Sequence, residues 1–394
     1  MTAPSLRLTR LLLQDFRSHA SAELRLRAPV VVVAGDNGSG KTNLLEAVSL
    51  LGPGRGLRGA RNAEFARRTP EGPLPWAVSG RFEGPAGEFD LGTGTPPDGP
   101  LDKRVLRLDG NPVRSQAELA NQVAAVWLTP QMDRLFQEGA SGRRRFLDRL
   151  VWALEPGHAR EVAAYDNAMA QRNRLLSEGC RDDRWLASLE DAMARHGVAA
   201  TAARLGMVDR LNAALAAGTA GAFPAACCDL SCGVAEQLRE RPALAVEDAL
   251  RDHLAGNRRR DAAAGAAVEG PHRCDLLLRH LPKDLPAELC STGEQKALLV
   301  SVVLAHAALI AAARGFAPLL LLDEVAAHLD ATRREALFAA LVALPAQVFL
   351  TGTEAGVFAS LDGVAETFLT APSGLRGTAD YGVREASGIP ILQA

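Results

Sequence analysis

The sequence has no marked excess of either charge sign and no segment that marks it for export. Its 44 lysines and arginines nearly balance its 46 aspartates and glutamates, which gives a formal net charge of −2 over 394 residues. No global positive field therefore draws the chain to nucleic acid, so any DNA contact must come from local basic patches. Residues 1–10 lack the apolar core of a secretory signal. We expect a cytoplasmic protein.

Long apolar runs and clustered metal ligands are also scarce. The most apolar stretch, residues 302–313, is shorter than the roughly 18 residues that a membrane span needs, so we expect no membrane partner. Cys227, Cys228 and Cys232 lie close together, but no second ligand pair with zinc-site spacing accompanies them. We therefore expect reduced, partly buried thiols, as is usual in a cytosolic protein.

Strand and helix signals alternate in the first and last thirds of the chain. The chain is too long for one compact core, so two or three folding units are expected. Segments that read as strands are 6–16, 30–34, several short runs within 70–112, 123–128, 318–322 and 347–350. A helix is expected after residue 42 and another over 331–344, which gives the βαβ rhythm of a parallel sheet. Residues 131–217, rich in Ala, Leu, Arg and Glu, predict helices.

A glycine loop follows the strand at 30–34 and precedes a helical pattern. It reads G-x-x-x-x-G-K-T and comprises Gly35, Asp36, Asn37, Gly38, Ser39, Gly40, Lys41 and Thr42, with Asn43 next. Glycines let successive N–H groups point at phosphate oxygens, and the helix N-terminus adds partial positive charge. Lys41 would reach the β- and γ-phosphates and Thr42 would ligate Mg²⁺. A chance glycine turn is the alternative, which the flanking strand and helix disfavour.

Two carboxylates end the leucine run at 319–322. Asp323 would hold Mg²⁺ through its water shell, and Glu324 would polarise the attacking water. In isolation these residues could equally be surface carboxylates after a buried strand. The glycine loop in the same chain favours a nucleotide site that binds ATP and Mg²⁺.

A third motif starts the helical pattern after residue 291. Ser291 and Gly293 at a helix start would form another anion site. Ser291 and Glu294 also satisfy a simple capping box without any ligand.

These motifs together resemble the ABC-type ATPases. In that class the signature serine of one subunit caps the γ-phosphate held by the loop of another, which implies an ATP-dependent dimer here. Residues 326–330, ending in Asp330, resemble the class's D-loop, and residues 351–353 stand at its switch position without the usual histidine. Gln131 follows Thr129 and Pro130 where related proteins place a nucleotide-contacting glutamine.

The finer details resemble the RecF family of bacterial recombination mediators. The insertion between Lys41 and Ser291 is longer than in transporter ATPases and shorter than in structural-maintenance proteins. Stretches similar to family motifs are 12–18, 40–47, 54–58, 142–148 and 270–276, and the resemblance spans about 6–383. Cys274 replaces the first aspartate of the last motif.

The resemblance implies an α/β ABC-type P-loop ATPase head with an inserted α-helical lobe. The head would comprise residues 1–130 and 271–394, and the lobe, a shortened coiled-coil-like arm, residues 131–270. The implied function is ATP-dependent binding of double-stranded DNA beside single-strand gaps, with weak DNA-stimulated hydrolysis. The implied partners are RecR, RecO and, through them, RecA.

Local basic residues are the candidate DNA contacts. Charge runs are more often solvated faces, so each candidate competes with that alternative. The candidates are Arg58, Arg67, Arg68, Arg143, Arg144 and Arg145. Three other function classes stay open: a transporter ATPase, a nuclease-coupled ATPase of the overcoming-lysogenisation type, and a structural DNA-bridging protein.

Overall fold

The computed structural model describes residues 6–96, 99–179, 182–327, 329–371 and 374–377, and it contains two compact units. The first unit comprises Met1–Asp133, Thr219–Phe223 and Leu299–Ala394. The second comprises Arg134–Gly218 and Pro224–Leu298.

The described chain is a mixed α/β protein. Its strands are β1 (Arg7–Phe16), β2 (His19–Arg25), β3 (Val30–Gly35), β4 (Arg68–Thr69), β5 (Gly72–Pro73), β6 (Ala77–Gly84), β7 (Gly87–Gly94), β8 (Val105–Leu108), β9 (Asn111–Pro112), β10 (Ala125–Leu128), β11 (Ala226–Ser231), β12 (Asp275–His280), β13 (Leu285–Pro286), β14 (Leu319–Leu322), β15 (Val348–Gly352), β16 (Ala365–Ala371) and β17 (Gly374–Gly377). Its α-helices are α1 (Lys41–Leu50), α2 (Gln116–Gln122), α3 (Ala140–Leu154), α4 (His158–Ser177), α5 (Asp183–Ala216), α6 (Gly233–Glu240), α7 (Ala243–Gly256), α8 (Arg258–Ala264), α9 (Thr292–Arg314) and α10 (Ala331–Ala343). Short 3-10 helices occur at Asn62–Phe65, Pro130–Arg134, Pro271–Arg273, Leu281–Lys283, Ala287–Leu289 and Ala355–Leu361.

A parallel sheet forms the centre of the first unit, in the order β10-β14-β15-β3-β16, with β17 added antiparallel at one edge. Val30–Val33 and Leu319–Leu322 are buried throughout, as expected for strands covered on both faces. Parallel pairing places the carboxyl ends of β3, β14 and β15 at one edge of the sheet. This edge carries the loops that the sequence motifs mark. The strands predicted at 30–34 and 318–322 are confirmed as β3 and β14.

An antiparallel sheet forms the other layer of the first unit, in the order β2-β1-β6-β7-β8-β9. The antiparallel strands predicted within 70–112 are confirmed by β6, β7 and β8. Phe16, Phe65 and Trp76 pack against one another with ring centroids 5.1–5.8 Å apart. This aromatic cluster fixes the turn between β1 and β2.

The second unit contains the helices α3 to α8 and a small sheet of order β11-β12-β13. Arg172 is fully buried and donates to Glu190, Asp261 and the Leu254 carbonyl at 2.7–3.0 Å. Because a buried guanidinium is costly without partners, this network holds α4, α5 and α8 in one arrangement. The helices predicted over 131–217 are present as α3, α4 and α5.

The sheet in the second unit was not predicted. β12 pairs antiparallel with β11 from Ala226↔His280 to Ser231↔Asp275. The second compact unit therefore includes the chain as far as Leu298. The helical lobe predicted from the sequence ends at residue 270.

One cysteine pair differs from the expectation of reduced thiols. Cys232 and Cys274 form a disulfide with a Cα–Cα distance of 4.6 Å. Each residue lies one position beyond the Ser231↔Asp275 pair, so the register places the two directly opposite each other at a spacing that a disulfide spans. The expectation is therefore wrong for this pair. Cys227, Cys228 and Cys290 are free, and Cys180 lies outside the described residues.

Helix α9 is apolar over a longer segment than residues 302–313, the stretch that the sequence singles out. By length and composition alone it could cross a membrane, but 72% of its most apolar window is buried inside the protein. Burial of that kind is typical of the core helix of a folded protein.

Candidate nucleotide site

The glycine loop wraps around the ammonium group of Lys41. Gly35, Gly38 and Gly40 have φ of 152°, 82° and 99°, which L side chains rarely adopt. Lys41 Nζ donates to the Gly35 carbonyl at 2.7 Å and to the Asp36 carbonyl at 2.9 Å. The loop therefore leads from β3 into α1 as a concave turn whose helix N-terminus favours an anion.

The β1–β2 turn closes the side of this loop. A Cβ on Gly40 would lie 2.8 Å from Ser18 Oγ and 3.0 Å from His19 Nε2. Asn43 Nδ2 donates to Ser18 Oγ at 2.9 Å. Burial is the main influence on His19 and lowers the pKa of its imidazole. Gly40 is thus required both by its backbone conformation and by the close approach of this turn.

The other wall of the loop is β16. A Cβ on Gly35 would lie 2.3 Å from the Thr370 carbonyl oxygen. Ser39 Oγ and Thr370 Oγ1 are 2.5 Å apart. Two neighbouring segments therefore hold the loop in its curled form.

Thr42 and Asp323 meet at the carboxyl edge of the parallel sheet. Thr42 Oγ1 lies 3.1 and 3.0 Å from the two carboxylate oxygens of Asp323. Asp323 is 4% exposed, and its amide donates to the Leu128 carbonyl at 2.9 Å. A hydroxyl and a carboxylate are the hard oxygen ligands that Mg²⁺ prefers, so this pair fits the cation predicted from the sequence.

Thr351 links the two acidic residues after β14. Its hydroxyl donates to Asp323 Oδ1 at 2.7 Å and accepts the Glu324 amide at 2.9 Å. Glu324 has φ 50°, an uncommon left-handed conformation for a residue other than glycine. The structure thus gives the switch position a role that the sequence did not reveal, namely orienting the acidic pair.

Gln131 lies in the turn after β10, the strand beside β14. Leu128 pairs with Leu322, so the turns after both strands start at the same edge of the sheet. Gln131 itself is exposed. Its position is compatible with nucleotide contact.

The signature segment belongs to the second unit. Ser291 Oγ accepts the Glu294 amide at 3.4 Å, and Glu294 Oε2 accepts the Ser291 amide at 3.0 Å. The capping box considered as the simple alternative is therefore formed. Ser291 remains exposed at the start of α9, with Gly293 in the first turn, and the carboxylate of Glu294 shares this helix start.

The D-loop candidate caps a helix. Asp330 Oδ1 accepts the Arg333 amide at 2.8 Å as the N-cap of α10. Its neighbour His328 lies outside the described residues.

Sequence patterns missed an ion-pair cluster behind α1. Glu46 is fully buried and accepts two hydrogen bonds from Arg17, at 2.8 and 3.0 Å, and one from Arg58 at 3.1 Å. Arg58 also donates to Asn43 at 2.9 Å. Arg17 lies over the Phe65 ring at 5.1 Å. These contacts tie the β1–β2 turn to the first helix of the site.

The predicted DNA contacts have different surroundings. Arg67 Nε donates to Asp15 at 2.8 Å, whereas Arg68 in β4 is exposed. Arg143 is 8% exposed and forms a two-pronged ion pair with Asp275 at 2.7 and 2.8 Å. That burial favours an internal role for Arg143.

The two neighbours of Arg143 are more accessible. Arg144 is half-buried and donates to the Cys274 carbonyl at 3.0 Å. Arg145 is exposed.

Comparisons with known proteins agree with this geometry. A family model described as an AAA domain matches residues 10–71. A protein of Mesorhizobium japonicum named DNA replication and repair protein RecF is 50% identical over 372 residues, 94% of this chain and 97% of the relative. The protein of the same name from Agrobacterium fabrum is 50% identical over 370 residues, 93% of this chain and 98% of the relative.

Solved structures show the same fold. The recombination mediator protein RecF in its RecF-ATPrS form has a TM-score of 0.83 at 21% identity, covering 96% of this chain and 100% of that one. An Smc head domain from Pyrococcus furiosus has a TM-score of 0.50 at 16% identity, covering 96% of each chain. The fold is therefore the predicted α/β P-loop ATPase head, and the chain belongs to the RecF family of DNA replication and repair proteins.

Proposed function

We propose that the protein is an ATP-dependent DNA-binding recombination mediator whose slow, DNA-stimulated ATP hydrolysis resets an ATP-bound dimer. The observation that carries the proposal is the hydrogen-bonded series from Thr42 through Asp323 and Thr351 to Glu324. The series begins at the last residue of the glycine loop, and the same loop accepts a hydrogen bond from Lys41. Family membership supports the assignment to DNA repair and replication.

Each side chain has a distinct task in the proposed reaction. Lys41 leaves the carbonyls of Gly35 and Asp36 to neutralise the β- and γ-phosphates of ATP. Thr42 and Asp323 would hold Mg²⁺, which when bound neutralises phosphate charge. Glu324 orients and polarises the attacking water, and Thr351 keeps Glu324 beside Asp323.

Loop residues would bind the rest of the triphosphate. The amides of residues 35–42 and the side chain of Asn43 surround the phosphates, and Gln131 contacts the nucleotide from the neighbouring strand edge. Positioning and electrostatic stabilisation supply most of the rate in phosphoryl transfer, so this pre-set geometry matters more than any covalent step.

The second half of the site would come from another copy of the chain. Ser291 and Gly293 are accessible at the start of α9, where helix N–H groups favour an anion. ATP bound by one copy would thus be covered by the signature of its partner, with Asp330 beside the same interface. ATP binding then favours the dimer, and hydrolysis releases it.

The dimer would clamp duplex DNA next to single-strand gaps in the cytoplasm. Arg58, Arg67, Arg68, Arg144 and Arg145 are the proposed sources of positive charge, with Arg143 supporting its neighbours through Asp275. RecR, RecO and RecA are the proposed partners, on the strength of family membership.

ATP hydrolysis measured without DNA, with single-stranded DNA and with gapped duplex tests the proposal. The gapped duplex is expected to stimulate turnover most. Lys41→Ala and Ser291→Ala are expected to abolish ATP-stimulated binding in a gel-shift assay at fixed salt. Equal turnover in all three conditions would contradict the proposal, as would unchanged ATP stimulation in both variants.

A further inference from the structure

A cavity of about 480 Å³ opens within the second unit, between α3, α4, α5 and the Pro271–Arg273 turn. The two family-like stretches that the nucleotide site does not use, 142–148 and 270–276, meet at its wall. Guanidinium groups dominate this wall. The cavity is lined by Arg144, Arg145, Arg204 and Arg273 together with Asp148 and Asp166.

One arginine of the wall is already neutralised. Arg204 makes a two-pronged ion pair with Asp148 at 2.7 and 2.9 Å and donates to the Pro271 carbonyl at 2.9 Å. His158 lies 2.7 Å from the same carboxylate. The negative charge of Asp148 therefore compensates the positive charge of Arg204.

The remaining arginines have no such compensation. Arg144 donates to a carbonyl, and burial followed by the charge of Arg204 lowers its pKa. Arg145 and Arg273 are exposed, and within the described ranges neither side chain forms a hydrogen bond or ion pair. Asp166 is the other carboxylate of the wall, so two carboxylates face four arginines. The cavity thus carries excess positive charge.

The opposite wall is rigid and neutral. His272 Nε2 donates to the Ala267 carbonyl at 2.9 Å, so Nδ1 accepts the Tyr165 hydroxyl at 2.7 Å. Burial lowers the pKa of His272, in keeping with this neutral form. Gly270 has φ 136°, and a Cβ there would lie 2.9 Å from Tyr165 Oη. The wall therefore requires glycine at that position.

We propose that this cavity binds a phosphate group, either of a free nucleotide or of a nucleic-acid strand, through Arg144, Arg145 and Arg273. Guanidinium groups match phosphate oxygens in geometry and are always charged. The volume falls within the range of ordinary ligand pockets, so it also accommodates the sugar attached to the phosphate. The cavity lies wholly in the second unit. Its nucleic-acid form rests on the DNA contact proposed above for Arg144 and Arg145, whereas its free-nucleotide form stands without that contact.

The test uses the full chain with Lys41→Ala, which weakens binding at the glycine loop. Fluorescence anisotropy with a labelled DNA duplex and calorimetry with ADP measure the two phosphate sources separately. The test variant is Arg145→Ala with Arg273→Ala, and the matched control is Arg259→Ala, an exposed arginine of α8 outside the cavity. Because Arg145 and Arg273 are exposed, the variant is expected to melt at the temperature of the control.

We expect the double variant to lose roughly tenfold in affinity for each arginine removed, as for a charge-assisted hydrogen bond. The control should lose nothing. For the duplex, the slope of log K against log salt should fall by about one for each arginine. If affinity falls for the duplex, the phosphate belongs to a nucleic-acid strand; if it falls for ADP, the phosphate belongs to a free nucleotide. Equal affinity of the double variant and the control for both probes, or no binding of either probe, would overturn the proposal.

Discussion

Thr351 Oγ1 lies 2.7 Å from Asp323 Oδ1, and the same hydroxyl accepts the amide of the next residue, Glu324. The end of β15 therefore sets the conformation of the turn after β14. Glu324 keeps its left-handed backbone because this bond and the buried strand hold it.

Thr351→Val removes the hydroxyl while retaining the shape of the side chain. We expect ATP turnover to fall by roughly tenfold or more, because a hydrogen bond to a charged group is lost and Glu324 is released. ATP affinity should change little. Steady-state turnover and a nucleotide dissociation constant measure the two effects. Thr9→Val is the control, because it removes a hydroxyl that donates to the Arg81 carbonyl outside the nucleotide site. Equal turnover in the two variants would contradict the role of Thr351.

Glu46→Gln tests the ion-pair cluster behind α1. The substitution keeps the volume but leaves Arg17 and Arg58 facing a neutral amide in a buried position. We expect the free energy of unfolding to fall by about 3 kcal/mol, as for a broken buried pair. Urea denaturation measures it. The exposed Glu83→Gln should stay within about 0.5 kcal/mol of the parent, and a similarly small effect at Glu46 would refute the cluster's role.

Glu294 predicts an acid-dependent contribution to stability. Hydrogen bonds from Lys283, and then from the amide and hydroxyl of Ser291, lower the Glu294 pKa to about 2. Because the folded pKa lies below the unfolded value, the stabilisation is present above pH 4.5 and is lost as pH falls toward 2. Glu294→Gln keeps an acceptor for the cap but removes the charge. Its deficit in unfolding free energy should shrink between pH 5 and 3, and a deficit independent of pH would count against the ion pair.

The Cys232–Cys274 disulfide predicts a thiol count. Thiol titration of the denatured chain, purified without reductant, should find four reactive cysteines of the six, because the bridge occupies two. Cys232→Ser should lower stability by about 3 kcal/mol relative to the oxidised parent, because the bridge closes a long loop. Six free thiols in the parent would show that the two residues are only neighbours.

The sequence predicted the parts of the site that depend on local patterns. The loop from Gly35 to Thr42 and the pair Asp323–Glu324 follow from spacing within single strand–turn segments, and both lie where the patterns indicated. Thr351 could be located only as the residue after a strand, because its bonds depend on the pairing of β14 with β15. The contact of Ser18 with Gly40 likewise depends on how a distant hairpin packs.

Two other features could not be read from the sequence for the same reason. The Cys232–Cys274 bridge requires the register of β11 against β12, and a one-residue slip would separate the thiols. Arg143 looked like a surface charge in a basic run, but its partner Asp275 lies far along the chain. Both contacts depend on pairing between residues that are far apart in the chain, which local sequence patterns do not reveal.

In the proposed function, ATP joins two copies of the chain through the glycine loop of one and the signature segment of the other. Light scattering on Glu324→Gln, which we expect to slow hydrolysis while keeping ATP binding, measures the mass with and without ATP and Mg²⁺. We expect a monomer without ATP, a dimer with it, and a monomer in both conditions once Ser291→Ala is added. A monomer with ATP in Glu324→Gln itself would contradict it.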